Sequence, residues 1–170
     1  MSLSHLNQEI KHCRNFDCWR GLEEGERYDC TISALAGNRV GVRLDIIEFC
    51  VSTEAAVEIA DCLRDAFSIV LYDHENPYGE RDLSARHIFK KTCNSAQKFY
   101  RAEGQIEVLD GSPELFSDDE ASGSVGIVIQ TIPGGGYEIV FDFMSYSFAI
   151  QDAIWMSNSL MQVWVSQERC

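Results

Sequence analysis

The stretch that most constrains how this chain can fold is its last third, residues 125–167. Val125, Ile127 and Ile129 alternate with smaller or polar residues up to Ile132. Pro133-Gly134-Gly135-Gly136 interrupts the run, and Tyr137, Ile139, Phe141 and Phe143 resume it. Period two in β-branched and aromatic residues, broken by Pro and Gly, predicts an antiparallel hairpin with one buried face. From Ser145 to Gln167 the only charged residue is Asp152, set among Phe148, Ile150, Ile154, Trp155, Met156, Leu160, Met161, Val163 and Trp164. A helix that is apolar over most of its circumference needs cover on more than one side. The expectation is a central helix over 147–166, packed on the sheet and covered again from elsewhere. The three glycines join two strands and lack the lysine of a phosphate-binding loop, so they read as a hairpin turn.

Upstream, Ser4 to Cys13 sets Leu6, Ile10 and Cys13 on one side of a short helix, within an N-terminal helical segment over 1–20. Phe16 and Trp19 offer aromatic anchors. Tyr28, Cys30, Ile32 and Ala34 alternate with polar residues, Ala36-Gly37-Asn38 supplies a turn, and Val40, Val42, Leu44 and Ile46 continue on one face. At Ile46-Ile47 the phase flips, which predicts a bulge or a strand buried on both faces. Ser52 or Thr53 can cap the next helix, with Glu54 in its first turn, where the helix dipole favours an anion. Its inner stripe is Ala56, Ile59, Ala60, Leu63 and Phe67, and its outer stripe is Glu54, Glu58, Asp61 and Asp65. Residues 69–72 fit either an extension of this helix or a short strand.

Ala85, Ile88, Phe89, Thr92, Cys93, Ala96, Phe99 and Tyr100 recur at helical spacing and predict a further helix. Its opposite face would carry Arg86, Lys90, Lys91, Lys98 and Arg101, ahead of a short strand over 105–109. Residues 110–124 hold Asp110, Glu114, Asp118, Asp119 and Glu120, no basic residue, and several Ser and Gly. Such a stretch reads as a long acidic loop, and long loops in compact domains tend to be functional or mobile. Hairpin then helix occurs at 28–68 and again at 125–167, as a similarity of pattern rather than of side chains. The expected architecture is one domain over 1–170, of α+β class. It would have an antiparallel sheet of about five strands built from two hairpins, with three to four helices mainly on one face.

Charge excludes some function classes. With 14 basic and 27 acidic residues the formal net charge is −13, which repels nucleic acid and anionic membrane and attracts basic partners. No window approaches the roughly 18 apolar residues of a membrane span. Residues 1–14 lack an apolar signal region, so the expected location is cytoplasmic. The seven cysteines, odd in number and scattered in spacing, are expected to be free thiols, several of them on apolar faces. His12-Cys13 with Cys18, and His74 beside Asp73 and Glu75, lack the paired short spacings of a metal site, and neither a metal nor a cofactor is expected. No nucleophile–base or paired-carboxylate pattern stands out either.

The strongest remaining signal is acidic. Like charges at i, i+4 on an isolated helix repel by a few tenths of a kcal/mol per pair, so an outer stripe of one sign suggests a cationic counterpart. The leading expectation is therefore a non-enzymatic inhibitor of a basic, nucleic-acid-handling protein. Either an immunity protein against a nuclease-like toxin or a phage or plasmid anti-defence protein, such as an anti-CRISPR or nucleic-acid mimic, fits that reading. Its binding residues would be Glu54, Glu58, Asp61, Asp65, Asp110, Glu114, Asp118, Asp119 and Glu120. Two alternatives differ in class: a dimeric chaperone-like module using the apolar C-terminal helix, and an enzyme of unrecognised type with a site at Asp73–Gly79.

Overall fold

The computed structural model describes residues 11–17, 27–71, 88–94, 96–116, 122–133, 135–142 and 144–168. It contains ten strands, two α-helices and one short 3-10 turn among the described residues. The first half runs β1 (Lys11–Asp17), β2 (Arg27–Leu35), β3 (Arg39–Leu44), β4 (Ile47–Ser52) and α1 (Thr53–Leu71). The second half opens with β5 (Phe89–Asn94), β6 (Phe99–Val108) and β7 (Asp110–Gly111). The 3-10 turn Pro113–Leu115 then leads to β8 (Gly123–Thr131), β9 (Tyr137–Phe141), β10 (Ser145–Phe148) and α2 (Ile150–Glu168).

The α+β class stands, but the single five-stranded sheet and the three to four helices do not. There are two antiparallel sheets of five strands, ordered β1-β2-β3-β4-β7 and β10-β9-β8-β6-β5, and two helices. Three local readings account for the difference. Lys11–Asp17, expected to be helical in part, pairs with Arg27–Ser33 as an edge strand. The phase flip at Ile46-Ile47 is neither a bulge nor a doubly buried strand but a two-residue reversal, with Leu44 paired to Ile47. Asp45 takes φ +56° there, a left-handed conformation that Asp tolerates better than most residues.

Of the helix expected over 85–100, the described residues from Phe89 onward form the β5–β6 hairpin instead, and residues 85–87 and 95 lie outside the described residues. Phe89, Lys91 and Cys93 also alternate with the exposed Lys90, Thr92 and Asn94, and this period prevails. The Asn94 side chain accepts the Gln97 N–H at 3.3 Å, and Lys98 adopts φ +52°, which together reverse the chain. Beyond the turn, Tyr100, Ala102, Ile106 and Val108 are buried while residues 101, 103, 105 and 107 are exposed. Gly104 interrupts that apolar row because a Cβ there would lie 2.5 Å from the Ile88 carbonyl oxygen.

Other expectations hold. The Ser52 hydroxyl accepts the Ala55 N–H at 3.2 Å and caps α1, which continues helically through Leu71. The β8–β9 hairpin forms with Gly135 and Gly136 at φ +122° and +82° in its turn. The C-terminal helix starts later than expected, because residues 145–148 add a third strand to that hairpin.

Each half is thus a meander followed by a helix, and the halves exchange helices. α1 packs mainly on β6 and β8 of the second half and less on β3 and β4 of its own, α2 packs on β1, β2 and β3 of the first, and the helices pack on each other. Small residues permit this approach. The Ser157 hydroxyl of α2 donates to the Ala60 carbonyl of α1 at 2.9 Å, and Ala56, Ala60 and Ala153 are buried. The sheets meet at both margins. At one, the Leu109 N–H donates to the Cys50 carbonyl and β7 pairs with β4. At the other, Phe16 packs on Phe148, Tyr28 packs on Tyr146, and the Tyr28 hydroxyl donates to the Ser147 carbonyl. One continuous apolar core results. It explains how the nearly uncharged α2 is covered by its own chain, with Trp155 set edge-on to Phe16.

Candidate functional site

The four carboxylates expected on one outer face of α1 do not share an environment. Glu54 is exposed in the first turn, and Glu58 and Asp61 are half-buried. Asp61 accepts a bond from Arg64 at 3.3 Å. Asp65 is a correction: it is only 1% exposed. Its Oδ2 accepts a bond from the Lys91 ammonium at 2.9 Å and a longer one from the Tyr100 hydroxyl at 3.5 Å. The cause is the helix exchange. α1 lies between α2 and the second sheet, so the turn that carries Asp65 faces β5 and β6. Asp65 therefore leaves the outward set, and Lys91 leaves the basic flank, which as a helix face does not exist.

A second ion pair built on a buried carboxylate parallels the first, with its cation exposed. Asp152, the sole charge in the apolar stretch, accepts the Arg14 Nε–H at 2.8 Å through Oδ1 and the Ala149 N–H at 3.3 Å through Oδ2. It caps the start of α2 and ties that helix to β1. Both pairs sit beside a buried thiol. Burial pushes the Cys62 thiol up to about 12, with Lys91 and Tyr100 opposing the rise. Burial, reinforced by Asp152, raises Cys30 further still. Neither sulfur is a thiolate at neutral pH, so neither is a ready nucleophile. The five described cysteines are free.

Of the acidic segment over 110–124, Asp110 is exposed on β7 opposite Cys50. Glu114 lies in the 3-10 turn, and Asp118, Asp119 and Glu120 lie outside the described residues, as does Asp73–Gly79. β7 is stitched to β4 around Glu48. The Ser112 N–H donates to the Glu48 carbonyl at 2.8 Å, and the Ser112 hydroxyl accepts the Glu48 N–H at 3.0 Å. Glu48 is exposed on the same strand edge. Sequence reasoning passed over it, although its place between the buried Ile47 and Phe49 marks it as outward-pointing. Glu48, Asp110 and Glu54 are thus carried by β4, by the strand beside it and by the helix it feeds. Arg43 stands opposite Glu48 on β3, and Arg39 is close enough to Cys50 to oppose the raised pKa of its thiol, which burial dominates.

Among the described residues no group of His, Cys, Asp and Glu is arranged to hold a metal ion, and no helix is long and apolar enough to cross a membrane. Comparison with protein-family models, with curated proteins and with solved structures finds no match to this chain.

Proposed function

We propose that the chain is a non-enzymatic binding protein that recognises and blocks a cationic protein surface of the kind that normally holds nucleic acid. One observation carries this reading. Of the thirteen carboxylate side chains whose surroundings are described, only Asp65 and Asp152 are buried, each against a cation, and the others are exposed or half-exposed. Among the described carboxylates, burial therefore withdraws only these two from water, in a chain whose formal net charge is −13. Outward carboxylates at spacings set by a helix and a strand edge can stand in for phosphates, and their field speeds capture of a basic partner. The residues assigned to the contact are Glu54, Glu58 and Asp61 on α1, Glu48 and Asp110 on the β4–β7 edge, and Glu114, Asp118, Asp119 and Glu120 in the segment that follows. An immunity protein or an anti-defence protein would both use such a surface.

The test is affinity capture with the full chain at about 50 and about 300 mM salt, with retained proteins identified by mass spectrometry. The expected result is a basic, nucleic-acid-handling protein retained at the lower salt. That protein should be lost when Asp110, Glu114, Asp118, Asp119 and Glu120 are changed to their amides. Retention of no basic protein, or equal retention by the amide variant, contradicts the proposal.

A further inference from the structure

The core takes only part of α2. Ala153, Met156, Leu160 and Val163 are buried, whereas Ile154, Asn158, Met161 and Val165 are exposed or half-exposed. Val165, at 38%, is one of few large apolar side chains left so open. These four recur at intervals of four, three and four residues, the spacing at which one helix offers a seam to another. In that spacing Ile154 and Met161 take d positions, and Asn158 and Val165 take a positions. The seam is about 16 Å long, at 1.5 Å of rise per residue.

The seam carries no charge. Asp152 is buried, and Glu168 is the next charged residue along the helix. On α1, by contrast, Glu54, Glu58, Asp61 and Arg64 reach the surface. Two copies of a chain with a net charge of −13 repel each other, so they can meet closely only where neither brings carboxylates. A basic partner gains nothing from a neutral seam. Asn158 points the same way. Its amide is both donor and acceptor, so it can pair with its own copy. A lone Asn at an a position lowers stability but fixes the register and the two-stranded state.

We infer that α2 packs against α2 of a second copy of this chain about a two-fold axis, parallel and in register, with the two Asn158 amides hydrogen-bonded across the axis. The contact is separate from the acidic surface and does not rest on it. A seam this short gives a weak dimer, with a dissociation constant of about 10–100 µM.

Sedimentation of the full chain under reducing conditions, from about 5 to about 500 µM, is the test. Dimer should accumulate with concentration, and more at about 500 mM than at about 50 mM salt, because salt screens the repulsion between copies. Capture of a basic partner by the carboxylates has the opposite salt dependence. Val165→Glu, at an exposed position, should weaken the dimer by about tenfold or more at unchanged melting temperature, since it places a charge in an apolar contact. Asn158→Leu should tighten association and admit larger oligomers, because the residue that fixes the two-stranded state is gone. A chain that stays monomeric throughout leaves this face to another kind of partner and overturns the inference. So does wild-type dimerisation in a folded Val165→Glu, or unchanged association in Asn158→Leu. If Val165→Glu does not fold, the wild-type salt dependence and Asn158→Leu decide.

Discussion

α1 and α2 are the same length, close their halves in the same way and lie against each other, yet they handle charge differently. α1 carries Glu54, Glu58, Asp61, Arg64 and Asp65, whereas α2 carries only Asp152 before its final residue. Each nevertheless buries one aspartate, and in each case the partner cation comes from a strand that begins a meander, Lys91 on β5 or Arg14 on β1. The pairs differ in how deeply the cation is withdrawn from water. The Lys91 side chain is 12% exposed and the Arg14 side chain 40%. A pair enclosed on both sides adds little net stability when intact, but losing one partner strands a charge in a poor solvent. A pair open on one side lets the survivor rehydrate. The comparison separates carboxylates that hold the halves together from those that stay at the surface.

The largest effect is expected at the enclosed pair. Asp65→Ala leaves Lys91 without its carboxylate and should lower stability by about 3–5 kcal/mol in urea unfolding. Adding Lys91→Met should restore part of that loss, because the double variant buries no charge. Cys62 offers a second readout. Its thiol should resist alkylation in the wild type and become labelled far faster in Asp65→Ala. A loss below about 1 kcal/mol would show that Lys91 reaches water unaided.

Asp152→Ala should cost less, about 1–2 kcal/mol, because Arg14 can turn to solvent and the loss is chiefly that of the helix cap. Equal losses at Asp65 and Asp152 would erase the distinction between the pairs. Ser157→Ala removes the bond between the helices and should cost about 1 kcal/mol in the same measurement. Glu54→Gln and Asp61→Asn should change stability by no more than about 0.5 kcal/mol. A larger loss at either would move that residue from the binding set to the structural set.

How much of this was legible in the sequence depends on how local the deciding physics was. The β8–β9 hairpin, the Ser52 cap and the β2–β3 hairpin are set by neighbouring residues and by glycine-bearing turns, and all were readable. The β5–β6 hairpin was not. Phe89, Cys93, Ala96 and Tyr100 fit period 3.6 as well as Phe89, Lys91 and Cys93 fit period two, and pairing with β8 settles the choice. Asp65 was misplaced for a related reason. An amphipathic-helix reading assumes one buried face, whereas α1 is covered by α2 and by the second sheet. The exchange of helices between halves leaves no mark in spacing or composition, and the lone Asp152 in an apolar run, a signal that could have pointed to a buried ion pair, was noted only as an isolated charge. Exposed acidity was legible as a total, and its sorting into paired and outward carboxylates required the fold.

The most direct test of the outward set is the salt dependence of binding to the captured partner, measured by calorimetry for the wild type, for Glu54→Gln/Asp61→Asn and for the 110–120 amide variant. The expected result is a steep fall of affinity with salt in the wild type and a shallower slope in both variants, at unchanged melting temperature. Identical slopes in all three would contradict a contact made by these carboxylates.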